Sequence, residues 1–258
     1  PKEPNYFSTD LPQLNEADSI EQYLSFFDFN GDVSQVGGEA STWYLYSKTA
    51  ASNILEFQPD ARMIVMLRNP VDMFFSLHAQ FKYNMSETID DPREAWNART
   101  SRPEDSLLQY GRACALGAQV SRLLEIAPRQ QLHFIFFDDL SNDPKAEYLK
   151  ALQFLGLPIV VPDSFAVLNE RKTHRSKIME RFLRSTPTPV AHVVAAIKKA
   201  TGIKRLGISN ALLNLNTKRV SRPPQDPGFR AELRAAFEDD IRLLAQRLDT
   251  RVLVWLQD

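Results

Sequence analysis

The sequence predicts an α/β protein of a single domain, in which helices flank a central, mostly parallel sheet. Two short apolar runs, residues 62–67 and 131–140, support this prediction, because turn signals bound each run and a helical pattern follows it. Apolar runs of this kind are typical of parallel strands, whose two faces are both covered by helices. The chain has 258 residues, and we expect one domain over residues 1–258.

The first half of the chain alternates strand and helix patterns. Residues 31–41, GDVSQVGGEAS, are typical of a short strand that ends in a Gly-Gly turn. Residues 47–59 predict a helix, with Ser47 in the N-cap position. Residues 62–67 predict a fully buried parallel strand, and Pro70 fits the first turn of the helix that follows it.

The second half continues the alternation with longer helices. The predicted elements are an exposed loop with a short helix (84–105), an amphipathic helix (106–128), a second buried strand (131–140), a helix (143–158), short helices with basic loops (163–222) and a long terminal helix (227–248). The helix over 143–158 has the clearest boundaries, since Asp143-Pro144 begins it and Gly156 stops it.

The composition and charge exclude several classes of function. A net charge of −1 argues against a polyanionic partner such as nucleic acid. The one cysteine, Cys114, excludes a disulfide within the chain, and the four histidines lack the spacing of metal ligands, so we expect no metal. No apolar run approaches the ~20 residues of a membrane span, which together with the single cysteine favours a cytoplasmic location.

Arg68 directly follows the first predicted strand. Ligands of parallel α/β sheets bind beyond the carboxyl ends of the strands, which places Arg68 at the functional edge. An arginine at this edge needs an anionic partner. One candidate is a phosphate held above the next helix, with Ser76 as a further donor, and the other is an ion pair with Asp138 or Asp139 after the second strand.

Residues 64–81, IVMLRNPVDMFFSLHAQF, resemble the 3′-phosphate-binding segment of sulfotransferases that use PAPS (3′-phosphoadenosine 5′-phosphosulfate). The resemblance is to the heparan-sulfate-type and related bacterial branch. Further segments resemble family motifs in the same order: KEPNYFS (2–8), GEASTWYL (38–45), FIFFDDLSNDPKAEYLKALQFLGLP (134–158) and NTKRVSRPPQDPGFRAEL (216–233). The resemblance implies a sulfotransferase fold of the P-loop NTPase-like type.

The resemblance also implies a reaction and a set of site residues. A sulfuryl group would pass from PAPS to a hydroxyl, or an amine, of a carbohydrate or small-molecule acceptor, with PAP as the product and no metal. Glu3 matches the proposed catalytic base of the family. The implied PAPS ligands are Arg68, Ser76, Lys218, Arg219, Lys172 and Arg175. For the four basic residues in the loops, a solvated loop surface is an equally compatible interpretation.

Three residues of the GEASTWYL segment have two interpretations each. Glu39 either orients basic groups of the site or caps the end of a strand. Trp43 and Tyr44 either line an acceptor groove or pack in the core.

One family element does not occur in this sequence. Members begin with a strand and a loop similar to GVPKSGTTSL, which cradles the 5′-phosphosulfate and lies upstream of the KEP segment. We expect this loop to precede residue 1 in a longer chain. The alternative is a non-catalytic PAP-binding, nucleotide-binding or interaction protein with a degenerate sulfotransferase fold.

Overall fold

The computed structural model describes residues 3–27, 36–103, 106–165 and 225–257, and the backbone of two short strands at 172–174 and 217–219. The chain divides into two compact units. One unit comprises Pro1–Ser76, Asp91–Phe165 and Pro227–Asp258, and the other comprises Leu77–Asp90 and Ala166–Asp226. The single domain expected from the sequence stays a prediction.

The described elements follow the α/β alternation of the sequence. They are, in chain order, α1 (Ile20–Leu24), α2 (Ala50–Phe57), β1 (Met63–Leu67), α3 (Pro70–Tyr83), α4 (Pro92–Ala98), α5 (Tyr110–Ala113), α6 (Leu116–Ile126), β2 (Leu132–Phe136), α7 (Phe137–Asn142), α8 (Pro144–Leu155), β3 (Lys172–His174), β4 (Thr217–Arg219) and α9 (Pro227–Arg247). Within the described residues, no helix is long and apolar enough to cross a membrane.

Strands β1 and β2 pair in parallel, from Met63 opposite Leu132 to Leu67 opposite Phe136. This pairing confirms the predicted parallel strands. The prediction that β1 is fully buried is wrong, because Ile64 and Met66 are 39% and 53% exposed. Successive side chains of a strand point to opposite faces, and in β1 only one face, that of the buried residues Val65 and Leu67, is covered.

The second predicted strand ends earlier than expected. Residues 131–140 were expected to be one strand, but β2 stops at Phe136 and the chain continues directly into α7. Asp138 and Asp139 lie in the first turn of α7, where the helix dipole favours negative charge.

The single helix predicted over 106–128 is instead two helices, α5 and α6, with a break at Cys114 and Ala115. The cause is the close packing of α9. Asp240 of α9 accepts hydrogen bonds from the backbone N–H groups of Gly117 (2.7 Å) and Ala118 (2.9 Å). A Cβ atom at position 117 would lie 2.1 Å from the Asp240 carbonyl oxygen, so only glycine permits this approach.

The helices predicted over 47–59 and 143–158 are confirmed as α2 and α8. The prediction of Ser47 as the N-cap of α2 is wrong, because the helix begins later and its N-cap is Thr49; Ser47 Oγ nevertheless accepts a hydrogen bond from the Ala50 N–H group (3.0 Å). In α8, Asp143 caps the first turn through the Ala146 N–H group (2.9 Å), and Gly156 ends the helix with a φ of 69°.

The short strand predicted over 31–41 is not confirmed. Residues 36–41 have no regular structure, and residues 31–35 lie outside the described residues.

Aromatic packing fixes the position of α3 in the larger unit. The fully buried ring of Phe74 packs edge-to-face against Trp96, Tyr110 and Phe229, with centroid distances of 5.5, 5.1 and 5.8 Å. These contacts join α3 to α4, α5 and α9. The beginning of α3 is therefore held in place on the core side, directly after β1.

Candidate active site

Arg68 lies where the sequence places it, at the carboxyl end of β1. Residue Phe137 occupies the equivalent position after β2, and the Arg68 Cζ atom is 4.4 Å from the centroid of its ring. Arg68 is half-buried. A cation–π contact of this kind orients the plane of a guanidinium group.

The alternative partners of Arg68 are engaged elsewhere. Asp139 pairs with Arg251 (2.7 Å), and Asp138 accepts a hydrogen bond from Trp255 Nε1 (3.3 Å). Among the described residues, no ion pair joins Arg68 to either aspartate. These two carboxylates attach the C-terminal 3₁₀ segment Thr250–Leu256 to the end of β2, so they have a structural role.

The residues after Arg68 form a capped helix start. Asn69 is buried, and its side-chain oxygen accepts a hydrogen bond from the Val71 N–H group (2.9 Å). Pro70 is the first residue of α3, and Ser76 is exposed in its second turn. Arg68 at the end of a strand, Pro70 at the start of the helix and Ser76 in its second turn agree with the predicted elements, and the role of Arg68 and Ser76 as PAPS ligands stays a prediction.

An ion pair between α3 and α9 was not predicted. Asp72 lies one helical turn before Ser76, and it pairs with Arg230 of α9 at 2.9 Å. Residues four apart lie on the same face of a helix, so Asp72 places negative charge beside Ser76. Arg230 compensates that charge.

The four basic loop candidates fall mostly on two short strands. Strands β3 and β4 pair antiparallel, with Lys172 opposite Arg219 and Thr173 opposite Lys218. The backbones of three predicted ligands, Lys172, Lys218 and Arg219, are thus brought together, although they lie far apart in sequence. The fourth, Arg175, lies outside the described residues.

Glu3 has an uncommon backbone conformation. Its φ is 58°, and Asn5 has a φ of 50°, so both residues lie in the left-handed region. Thr42 Oγ1 donates a hydrogen bond to Glu3 Oε2 (3.0 Å), and Asn5 Nδ2 donates to the Glu3 carbonyl oxygen (2.7 Å). The half-buried carboxylate of Glu3 is thereby held in a defined direction.

Glu39 accepts hydrogen bonds from three hydroxyl groups. Tyr44 and Tyr23 donate to Oε1 at 2.5 and 3.3 Å, and Ser41 donates to Oε2 at 2.7 Å. The Ser41 oxygen in turn accepts a hydrogen bond from the Asn5 N–H group (3.0 Å). We call Tyr23, Glu39, Ser41 and Tyr44 the Glu39 network.

The structure answers the open interpretations of this segment in part. Glu39 orients hydroxyl groups among the described residues, whereas the sequence suggested basic groups or a strand cap. Tyr44 packs against a cluster of apolar residues that includes Phe7, as the core interpretation predicts. Burial and the neighbouring Glu39 carboxylate raise the pKa values of Tyr23 and Tyr44 far above those of ordinary phenols, so both remain hydrogen-bond donors.

Two further groups hold the segment that carries the Glu39 network. Arg122 of α6 donates to the carbonyl oxygens of three successive residues, Leu45, Tyr46 and Ser47, at 2.9, 2.9 and 3.2 Å. Asp10 accepts hydrogen bonds from the Lys48 N–H group (2.8 Å), Thr49 Oγ1 (3.0 Å) and Ser47 Oγ. Partial burial would raise the pKa of Asp10, but these hydrogen bonds hold it below its ordinary value.

Few features of the sequence indicate these contacts. A tyrosine such as Tyr23 in an aromatic-rich segment is most often a core residue, and Ser41-Thr42 is an ordinary dipeptide. The one available signal was the position of two hydroxyl residues two and three places after Glu39.

No metal site is visible in the part of the chain that the structure describes, where no group of three or more His, Cys, Asp or Glu residues is arranged to hold an ion. His78 is buried, and its Nε2 atom lies 3.0 Å from the Ile89 carbonyl oxygen. Its ring is thus part of the local structure of α3 and the loop after it.

The fold and this edge of the sheet define a class of protein. A family model described as "Sulfotransferase domain" matches residues 13–185, and the chain belongs to this family. Sulfotransferase 1C2 of Rattus norvegicus is 27% identical over 139 residues, which cover 50% of this chain and 45% of that protein. Heparan sulfate glucosamine 3-O-sulfotransferase 6 of Homo sapiens is 28% identical over 142 residues, which cover 54% of this chain and 40% of that protein.

The matched segment thus covers less than half the length of these curated relatives. A crystal structure of a sulfotransferase from Alicyclobacillus acidocaldarius is similar over 100% of this chain and 87% of that chain, with a TM-score of 0.69 and 23% identity. This similarity confirms the predicted α/β fold class. The family match confirms the resemblance on which the site residues were chosen.

Proposed function

We propose that this protein transfers a sulfuryl group from PAPS to a hydroxyl, or an amine, of a carbohydrate or small-molecule acceptor and releases PAP. Membership of the sulfotransferase family supports sulfuryl transfer. The observation that carries the choice of donor is Arg68, which is fixed on the Phe137 ring at the carboxyl edge of β1 and β2. A guanidinium group at this edge suits a phosphate dianion such as the 3′-phosphate of PAPS.

Ser76 and the capped start of α3 support the same assignment. The hydroxyl group of Ser76 is exposed and can donate a hydrogen bond to a phosphate oxygen. The positive end of the α3 dipole favours an anion near Arg68. Lys172, Arg175, Lys218 and Arg219 remain predicted ligands of PAPS, and single substitutions of each would test them by PAP titration.

Glu3 would act as the general base of the reaction. The acceptor oxygen attacks the sulfur atom, the bond from sulfur to the 5′-phosphate oxygen breaks, and the acceptor proton passes to the Glu3 carboxylate. PAP leaves with the electron pair of the broken bond. The protein contributes alignment and proton transfer to this step, since no covalent intermediate is required.

The experiment uses the full-length protein, PAPS labelled in its sulfuryl group, and pools of acceptors that include oligosaccharides, phenols and alcohols. We expect label to move to at least one hydroxyl-bearing pool and one PAP to be released for each transfer. Binding of PAP without transfer to any pool would instead support the non-catalytic alternative. Absence of both binding and transfer would contradict the donor assignment itself.

A further inference from the structure

We infer that Ser41 and Thr42 are positioning residues for Glu3, an inference that rests on the proposed function. Thr42 acts on the Glu3 side chain, since its hydroxyl group donates to Oε2 at 3.0 Å. Ser41 acts on the backbone, since its oxygen accepts from the N–H group of Asn5 at 3.0 Å. Two adjacent residues thus control both the direction of the carboxylate and the path of the chain that carries it.

The Glu39 network gives Ser41 a fixed orientation. A serine hydroxyl group has one proton and can rotate to suit its surroundings. In this protein the proton points to Glu39 Oε2 at 2.7 Å, because a carboxylate can only accept. The lone pairs of Ser41 are therefore turned away from Glu39, and one of them meets the Asn5 N–H group.

The two tyrosines of the network hold Glu39 in turn. Tyr44 and Tyr23 both donate to Oε1, which leaves Oε2 for Ser41. Both rings contact Phe7, with centroid distances of 6.2 and 5.1 Å, so the apolar cluster fixes the hydroxyl groups that hold the carboxylate. The packing of the two tyrosine rings therefore also sets the direction of the Glu39 carboxylate.

The backbone at Glu3 requires such support. A left-handed φ angle is unfavourable for most residues with a Cβ atom, such as Glu3 (58°), whereas an asparagine such as Asn5 (50°) adopts it more readily. Residues in this region keep their conformation only where the surrounding contacts determine it. The Ser41 hydrogen bond to Asn5 and the Thr42 hydrogen bond to Glu3 supply these contacts from a distant segment of the chain.

The first test compares two substitutions of Thr42 in the full-length protein, with the acceptor identified by the pool experiment. Thr42→Val removes the donor and keeps the shape, so we expect kcat to fall about tenfold to hundredfold, the effect of misplacing a reacting group. Thr42→Ser keeps the hydroxyl group and should restore most of the activity. The KM for PAPS and the Kd of PAP should remain unchanged in both variants.

A double mutant shows whether the effect passes through Glu3. If it does, Thr42→Val should cause no further loss of kcat in a Glu3→Gln background. Equal losses in Thr42→Val and Thr42→Ser would indicate a packing role and overturn the inference. Unchanged kcat in Thr42→Val beside an inactive Glu3→Gln variant would also overturn it, while leaving Glu3 as the base.

The second test requires no activity. Hydrogen exchange at the Asn5 amide should become at least tenfold faster in Ser41→Ala and in Tyr44→Phe. Tyr6→Phe is the matched control, because Tyr6 stacks on Tyr23 at 5.0 Å and its hydroxyl group is outside the Glu39 network. Unchanged exchange in Ser41→Ala would overturn the backbone part of the inference. Faster exchange together with no sulfuryl transfer by the wild-type protein would show that the proposed function, not the network, is wrong.

Discussion

The edge of the sheet at Arg68 is positioned by local contacts, whereas the segment around Glu3 is positioned by long-range contacts. At the sheet edge, β1, Arg68, the Asn69 cap and Ser76 follow one another in sequence, and local rules for strand ends and helix starts place them. In the segment around Glu3, the hydrogen-bond partners are distant in sequence: Thr42 lies 39 residues from Glu3, and Ser41 lies 36 residues from Asn5. The first region is a local arrangement, and the second depends on a distant segment that is held by its own network.

This difference has a functional meaning under the proposed reaction. A phosphate group binds to the hydrogen-bond donors at a strand end and a helix start, and these local donors set its position. A general base must meet one proton in one direction, so its carboxylate needs support from more than its own segment. Substitutions in the two regions should therefore have separable effects on nucleotide binding and on turnover.

The largest expected effect comes from Glu3→Gln. The substitution keeps the size of the side chain and removes the proton acceptor, so kcat should fall about 10²–10⁴-fold. The Kd of PAP, measured by calorimetry, should stay within about twofold of the wild-type value. A variant that keeps more than a tenth of the wild-type kcat would show that Glu3 is not the base and would remove the functional contrast between the two regions.

A smaller effect is expected from Arg230→Met at the sheet edge. This change leaves the Asp72 carboxylate beside Ser76 without the charge that now pairs with it at 2.9 Å. PAP affinity should fall by a factor of about 1.5–5, in the range of a partly exposed ion pair. The added substitution Asp72→Asn should restore the affinity, because it removes the negative charge beside Ser76. No loss in Arg230→Met, or no recovery in the double mutant, would contradict this role of Arg230.

The smallest effect concerns Asp10, which holds the segment that carries the Glu39 network, and its contribution to stability depends on pH. Hydrogen bonds from Ser47, Lys48 and Thr49 lower the pKa of Asp10 in the folded protein, so its contribution to stability is present above the unfolded pKa, which is near 3.8. That contribution is lost as the pH falls through the lowered folded value. Asp10→Asn should reduce the free energy of unfolding by about 1 kcal/mol at pH 7.

Urea denaturation of wild type and Asp10→Asn at pH 7 and at pH 3 measures the difference in their free energies of unfolding. This difference should be smaller at pH 3 than at pH 7. A difference that grows toward low pH would contradict the assigned direction of the Asp10 pKa.

The contrast between the regions also explains what the sequence could predict. The sequence predicted the parallel strands and the places of three residues in the fold, namely Arg68, Pro70 and Ser76, because apolar runs, proline and short spacings act locally. Glu3 was found only through a resemblance to known motifs. The Glu39 network was missed because its members are ordinary tyrosine and hydroxyl residues, and only the tertiary fold gives them their partners.

The errors in the fold have the same origin. The sequence pattern of 106–128 is continuous, yet the close approach of Asp240 to Gly117 divides it into α5 and α6. The apolar run of β1 suggested burial on both faces, but Ile64 and Met66 are exposed. In each case the missing information was a contact, or the lack of one, with a distant part of the chain.

The central claim is that Arg68 recognises the 3′-phosphate of the donor. Calorimetric titration of PAP and of adenosine 5′-monophosphate, which lacks that phosphate, tests it directly in the wild type, in Arg68→Ala and in a control variant. Arg129→Ala is the matched control, because Arg129 also stacks on a ring of β2, that of Phe134 at 5.1 Å, but lies before the amino end of the strand.

We expect Arg68→Ala to weaken PAP binding at least tenfold, since each hydrogen bond to a charged group contributes about 1.5–3 kcal/mol. The same substitution should leave the weaker binding of adenosine 5′-monophosphate unchanged, and Arg129→Ala should alter neither affinity. Equal losses for both nucleotides in Arg68→Ala, or unchanged PAP affinity with the fold intact, would contradict the claim.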